Sequence, residues 1–178
     1  MKSEILLVVG TRPQFIKATV VLSRLRQSFG LNVKLLRSGQ HYDQRLSEIF
    51  FDELDLPYPD YQLDIPVNER TIERTGLMVR QIESVIRKNS AGHIVVIGDT
   101  NTTLAGSLAA KKCNVTLSHI EAGMRSFEPS MPEETNRIVS DHLSNLLFSP
   151  TPVRLLILVE RASHKMCIWS VMFFTMVR

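Results

Sequence analysis

The sequence predicts an α/β domain built on a doubly wound parallel sheet, on the strength of three observations. Short apolar runs alternate with longer stretches whose apolar residues recur at helical spacing. The first run, Ile5–Val9, is apolar without interruption, as in strands buried on both faces. The runs also end on short polar segments, several of them led by glycine, as strands of a parallel sheet do before the chain turns into a helix.

Taken in order, Ile5–Val9 stops at Gly10, and Thr11-Arg12-Pro13 opens a helix in which Pro13 suits the first turn. Phe15, Ile16, Val20, Val21, Leu22 and Leu25 carry that helix toward Gly30. Asn32–Arg37 reads as a second strand ending at Ser38-Gly39-Gln40-His41, and Asp43 as the cap of a helix through Leu54. Leu56–Asn68, with three prolines and two tyrosines, reads as a surface connection. Glu69–Lys88 returns to helical spacing, and His93–Ile97 is a third strand closed by Gly98-Asp99-Thr100-Asn101. A small-residue helix spans Asn101–Lys112, followed by a fourth strand at Val115–Ile120 that ends on Glu121-Ala122-Gly123. Pro132 opens a helix through Leu143, and Leu146–Phe148 reads as a fifth strand.

Composition narrows the function classes. The 178 residues suit one domain, with 44% hydrophobic and 22% charged residues, as in a soluble globular chain. The net charge of +3 comes from residues 152–178, which hold four basic side chains and one acid, while the body carries 17 of each sign. The body therefore has no general attraction for nucleic acid, and any anion site must be local. Cys113 and Cys167 form neither a metal-ligand nor a redox spacing. Met-Lys-Ser-Glu leads into the first strand without a signal-peptide layout, which fits a cytoplasmic protein, and Cys167–Val177 is too short to span a bilayer as a helix.

The chemistry-bearing residues gather where a parallel sheet binds ligands, beyond the carboxyl ends of its strands. Gly10-Thr11-Arg12, Gly39-Gln40-His41, Gly98–Asn101 and Glu121–Arg125 each follow a strand. The first opens a helix, offering free backbone N–H groups and a guanidinium as a diphosphate seat, with Lys17 one turn on. Against this, glycine after a strand often marks only a turn, and Lys17 alone reads equally well as a solvated lysine. Neither a P-loop nor a G-x-G-x-x-G fingerprint is present. Asp99, Glu121 and Glu133 are candidate acid/base groups, since carboxylates gathered in one cleft divide those roles. Asp99 and Glu133 also read as helix-start acids. Glu121, at a strand end, has no such alternative and is the strongest of the three. His41 is placed to meet a ligand, whereas His93 and His142 read as structural or surface residues. Arg125 and Arg137 suit either phosphate binding or pairing with the acids.

These segments resemble the non-hydrolysing UDP-N-acetylglucosamine 2-epimerases, block by block and in order from Met1 to about Thr151. The blocks are Gly10–Lys17, Gly39–Asp43, Gly98–Gly106, His119–Ser126 and Met131–Arg137. The resemblance implies one Rossmann-like half of a glycosyltransferase-B-type fold, with the active site between two such domains. It implies inversion at C2 of a UDP-sugar by elimination and re-addition of UDP, without NAD or metal, in a cytoplasmic homodimer that feeds polysaccharide synthesis. By position, Asp99, Glu121 and Glu133 correspond to the family's catalytic acids, and Arg12, Lys17 and Arg137 to its substrate-contacting cations. Ser47–Phe51 and Pro59–Ile65 look closer to a sister branch acting on a UDP-linked diacetamido-glucuronic acid. A non-catalytic nucleotide-sugar-binding domain and a hydrolysing epimerase are the alternatives.

Residues 152–178 depart from that pattern and are expected to form an atypical tail to a domain of residues 1–151, with the family's second, UDP-binding domain absent. Codon arithmetic supports an out-of-frame reading: shifted by one base, Lys165–Met176 can encode a strand ending V-G-D-V, and Ile157–Ser163 can encode L-S-R-E-G-I. On this reading the chain is a truncated form, inactive alone.

Overall fold

A computed structural model describes residues 4–39, 58–66, 70–152, 154 and 166–169. Seven strands form one parallel sheet in the order β3-β2-β1-β4-β5-β6-β7. They are β1 (Glu4–Val9), β2 (Val33–Arg37), β3 (Tyr61–Gln62), β4 (Ala91–Ile97), β5 (Thr116–Ile120), β6 (Leu146–Ser149) and β7 (Met166–Trp169). The described helices are α1 (Arg12–Ser23), α2 (Thr71–Asn89), α3 (Asn101–Lys112) and α4 (Pro132–Leu143). The helix predicted over Asp43–Leu54 lies outside the described residues.

The doubly wound sheet follows from burial on both faces. Leu6 and Val8 point into the layer made with α2 and α3, beside Met78, Ile82, Ala105 and Ala109. Leu7 and Val9 point into the opposite layer, against Phe15, Ala18 and Leu22 of α1. All four strand residues are at most 1% exposed, which explains the unbroken apolar run. The strand order reverses between β1 and β4, which pair from Ile5↔His93 to Val8↔Val96, so the loops after these strands flank the topological switch point.

Two sequence expectations are revised. The first helix does not run on regularly to Gly30, because Arg24–Ser28 form a π-helical turn in which Arg26 reaches Val33 O and Asp60. Leu56–Asn68 is more than a surface connection: Tyr61–Gln62 adds an edge strand beside Leu36–Arg37, and Leu63 and Ile65 enter the core. Asp60 fixes that edge by accepting from Leu35 N at 2.8 Å and Lys34 Nζ at 2.8 Å. Within residues 152–178, Met166–Trp169 pairs with all of β6, and Cys167 packs beside Ala122 and Leu147.

The α3 helix lies close to the sheet because its facing residues are small. A Cβ added at Gly106 would stand 2.8 Å from Val96 Cγ1, a branched group with little freedom to retreat. Gly76, within α2, has nothing within 4 Å of the same position. Gly106→Ala is therefore expected to lose about 1–3 kcal/mol, read as a lower urea midpoint at constant m-value. Gly76→Ala, the control, is expected to gain up to about 1 kcal/mol.

Candidate active site

The site forms around the switch point, and one buried amide holds it together. Gln14, in the first turn of α1, accepts from Gly10 N at 2.7 Å and Thr11 N at 3.1 Å. Its Nε2 donates to Ile97 O at 2.6 Å, with Thr100 and Thr103 hydroxyls at 3.0 and 3.1 Å. This revises the anion-seat expectation, because the Gly10 and Thr11 amides are engaged by Gln14 rather than presented outward. Gly10 cannot carry a side chain: an added Cβ would come within 2.1 Å of Thr102 Oγ1 and 2.7 Å of Ser38 Oγ. Those two hydroxyls join each other at 2.7 Å, tying the end of β2 to α3.

Two candidate carboxylates sit after adjacent strands, each with its own cation. Glu121, past β5 with a left-handed φ of 70°, pairs with Lys17 Nζ at 2.6 Å. The solvated-lysine alternative for Lys17 therefore gives way to an ion pair, with both side chains partly open to solvent. Asp99, past β4, takes Arg137 Nε at 2.9 Å and also its Nη2. Arg137 Nη1 reaches Glu134 at 3.1 Å, so Arg137 spans two acids, and it keeps its proton more firmly than usual: burial opposes this, but Asp99 and Glu134 outweigh it. Gly98 lets the carboxylates come near its backbone; its missing Cβ would lie 3.3 Å from Glu121 Oε2. Asn136 secures the same turn by donating to Asp99 O at 2.9 Å and Asn101 Oδ1 at 3.1 Å.

The remaining predicted residues divide. Glu133, in the first turn of α4, is half-buried, and no ion pair to it is seen among the described residues. Arg12 is exposed at the start of α1. His41 lies outside the described residues. Arg125, left open between phosphate and acid, is buried against Asp141 at 2.7 Å. His93 bonds Ser118 Oγ at 2.7 Å, and burial pushes its proton affinity down, in keeping with a structural role. His142 is exposed on α4.

Sequence reasoning missed the groups that position these residues. Glu134 lies within a first helical turn but is buried, and it accepts from Ser126 N and Oγ at 2.9 Å each, anchoring the β5–α4 loop. His119 and Asp141 form a buried pair at 2.7 Å, and Asp141 also accepts from Gly123 N at 3.1 Å. Thr11-x-x-Gln14 is the pattern of a capping box, the one sequence signal that pointed to Gln14.

A family model described as UDP-N-acetylglucosamine 2-epimerase matches residues 23–171, a span that includes β5, the carboxylate loops and β7. The chain belongs to this family. It is 50% identical over 150 residues to the UDP-2,3-diacetamido-2,3-dideoxy-D-glucuronate 2-epimerase of Pseudomonas aeruginosa, covering 84% of this chain and 42% of that protein. It is 42% identical over 147 residues to the UDP-N-acetylglucosamine 2-epimerase of Methanocaldococcus jannaschii, covering 83% of this chain and 40% of that one. The solved structure of the M. jannaschii epimerase in complex with UDP-GlcNAc and UDP superposes with a TM-score of 0.84 at 39% identity, over 95% of this chain and 46% of that one. The Neisseria meningitidis epimerase bound to UDP-GlcNAc gives 0.85 at 29%, over 93% and 45%. The fold is thus the glycosyltransferase-B-like α/β fold of these epimerases, shared at a TM-score of 0.61 and 13% identity with Acinetobacter baumannii MurG. The chain spans about two fifths of the length of the curated epimerases it matches. Among the described residues no helix is long and apolar enough to cross a membrane, and no cluster of metal-ligating side chains is found.

Acid should undo the buried network in a defined direction. Burial would raise the Asp141 carboxyl, but His119 and Arg125 outweigh it and hold it below its ordinary value. Glu134 is lowered likewise: burial opposes, and Ser126, Arg137 and the Phe127 amide prevail. A depressed carboxylate stabilises the fold fully above its unfolded value, about 4, and loses that contribution as pH falls through the folded one. Urea midpoints are therefore expected to drop below about pH 4. Asp141→Asn is expected to cost about 3–5 kcal/mol at neutral pH and to flatten that acid limb.

Proposed function

We propose that this chain is the acid/base-bearing half of a nucleotide-sugar 2-epimerase that interconverts UDP-N-acetylglucosamine and UDP-N-acetylmannosamine. The observation that carries the reading is the pair of carboxylates on neighbouring strand ends, Glu121 on Lys17 and Asp99 on Arg137, at the switch point of the sheet. Inversion at C2 needs a base to take the C2 proton while the C1–O bond to the diphosphate breaks, releasing UDP and a 2-acetamidoglucal. Returning the proton to the opposite face as UDP re-adds completes the inversion. Glu121, Asp99 and Glu133 supply the proton-transfer groups; Arg12, Lys17, His41 and Arg137 supply positive or polar contacts for the UDP-sugar. UDP-GlcNAc and UDP in the solved relatives support a UDP-sugar ligand. The route uses no NAD and no metal; the full-length enzyme is read as a cytoplasmic homodimer, a state not extended to the truncated chain.

A second substrate is favoured by one observation, the 50% identity to the diacetamido-glucuronate epimerase. The same proton chemistry serves that sugar, since inversion again occurs at C2. Residues 152–178 are read within this proposal as out of frame, the body being domain 1–151 of a longer enzyme. A one-base shift near codon 152 in the gene would restore the expected frame; its absence would remove that part of the reading.

The test follows nucleotide sugars by NMR, using this chain and the protein made from the frame-restored gene. The restored protein is expected to convert UDP-N-acetylglucosamine, this chain to convert none, and Glu121→Gln in the restored protein to lower kcat by about 10²–10⁴. Conversion of the diacetamido-glucuronate alone would move the assignment to the second sugar. Release of free sugar with UDP would assign a hydrolysing epimerase, and inertness toward both sugars would overturn the proposal.

A further inference from the structure

His119 is buried with both ring nitrogens committed. It lies in β5 opposite Val96 of β4 and is 1% exposed. Its Nδ1 is 2.7 Å from Asp141 Oδ1 and its Nε2 is 2.7 Å from Gly98 O. A carbonyl oxygen only accepts, so Nε2 must carry a hydrogen. Nδ1 faces a carboxylate that also receives Arg125 Nη2 at 2.7 Å and Gly123 N at 3.1 Å, so the ring is held against a group that is itself fixed from two sides.

We propose that His119 is a positioning residue, bonded through both ring nitrogens, which locks the Asp99 strand end onto the Glu121 strand end. Gly98 is the point of attachment. Its N–H donates to Ile120 O at 2.9 Å and its carbonyl accepts from His119, so β5 grips the peptide on both sides. Gly98 has a left-handed φ of 71°, and the next residue is Asp99. Beyond His119, the same strand leads through Ile120 to Glu121. One ring thus sets the spacing of the two carboxylates, and Asp141 holds the ring from α4. The charged groups facing His119 are Asp141 from α4 and, behind it, Arg125 from the β5–α4 loop. Asp141 is held in its ionised form: burial opposes that, and His119 and Arg125 overcome it. The role assigned to the carboxylates rests on the proposed function; the hydrogen-bond arrangement does not.

The experiment reads the full chain by NMR and needs no turnover, so its failure is separate from failure of the epimerase reading. In ¹³C,¹⁵N-labelled protein, Nε2 of His119 is expected to carry a hydrogen-bonded, slowly exchanging proton. Two variants separate the arms of the ring. In His119→Gln the side-chain amide takes the place of Nε2 and keeps a donor toward Gly98. His119→Asn keeps one toward Asp141 only. The Gly98 carbonyl and Asp99 amide signals are expected to stay near their original positions in the Gln variant and to move in the Asn variant. An Nε2 without a hydrogen in His119 of the unaltered chain would overturn the proposal, whether or not the variants fold. Equal displacement of the Gly98 and Asp99 signals in both folded variants would also overturn it.

Discussion

The site depends on closing the gap between β1 and β4 at their carboxyl ends with a single side chain. A parallel sheet that changes direction there leaves two loops diverging, with backbone groups on each that need partners. Gln14 satisfies both sides at once: its oxygen serves the Gly10 and Thr11 amides, and its nitrogen serves Ile97 and two threonines. A planar amide offers an acceptor and a donor at opposite corners, which neither a carboxylate nor a leucine side chain does. Because α1 begins at this amide, Lys17 one turn later is carried to Glu121. Placement of the first cation is therefore a consequence of how the first turn is capped.

Electrostatics then divides the region into an inner and an outer layer. The inner layer, His119, Asp141 and Arg125, is almost fully shielded and meets protein groups on each side. The outer layer, Lys17 with Glu121 and Arg137 with Asp99, remains partly open to solvent. Water screens the outer pairs more strongly, so they can exchange partners with an incoming anion at modest cost. The inner charges cannot, and they act as scaffold. Glu134 stands between the layers, buried yet joined through Arg137 to Asp99.

Much of this was legible in the residues. Pro132–Leu143 and Asn101–Lys112 begin and end where proline, asparagine and the apolar period placed them. Glu121 and Asp99 were found because strand ends are few and both carry acids. The strand at Tyr61–Gln62 was hidden by nearby prolines, although Tyr61, Leu63 and Ile65 alternate with a period of two. His119 and Asp141 were passed over for a different reason: they are 22 residues apart on a strand and a helix, and only the fold brings them together. The same holds for Arg125, whose choice between phosphate and carboxylate rests on a residue 16 positions later. The free amides expected at Gly10 and Thr11 were an error of local reasoning, since the acceptor that engages them belongs to the same turn.

The central place of β1 has a consequence in time. Among the described strands it is made earliest, yet one of its two neighbours is β4, whose residues begin at Ala91. At synthesis rates of roughly 5–20 residues per second, that edge stays unmatched for on the order of ten seconds. Through that interval Leu6, Leu7, Val8 and Val9 form a bare apolar ribbon open to any other nascent strand. A strand buried on both faces thus waits bare during its own birth, and chaperone demand is expected to fall once β4 has emerged.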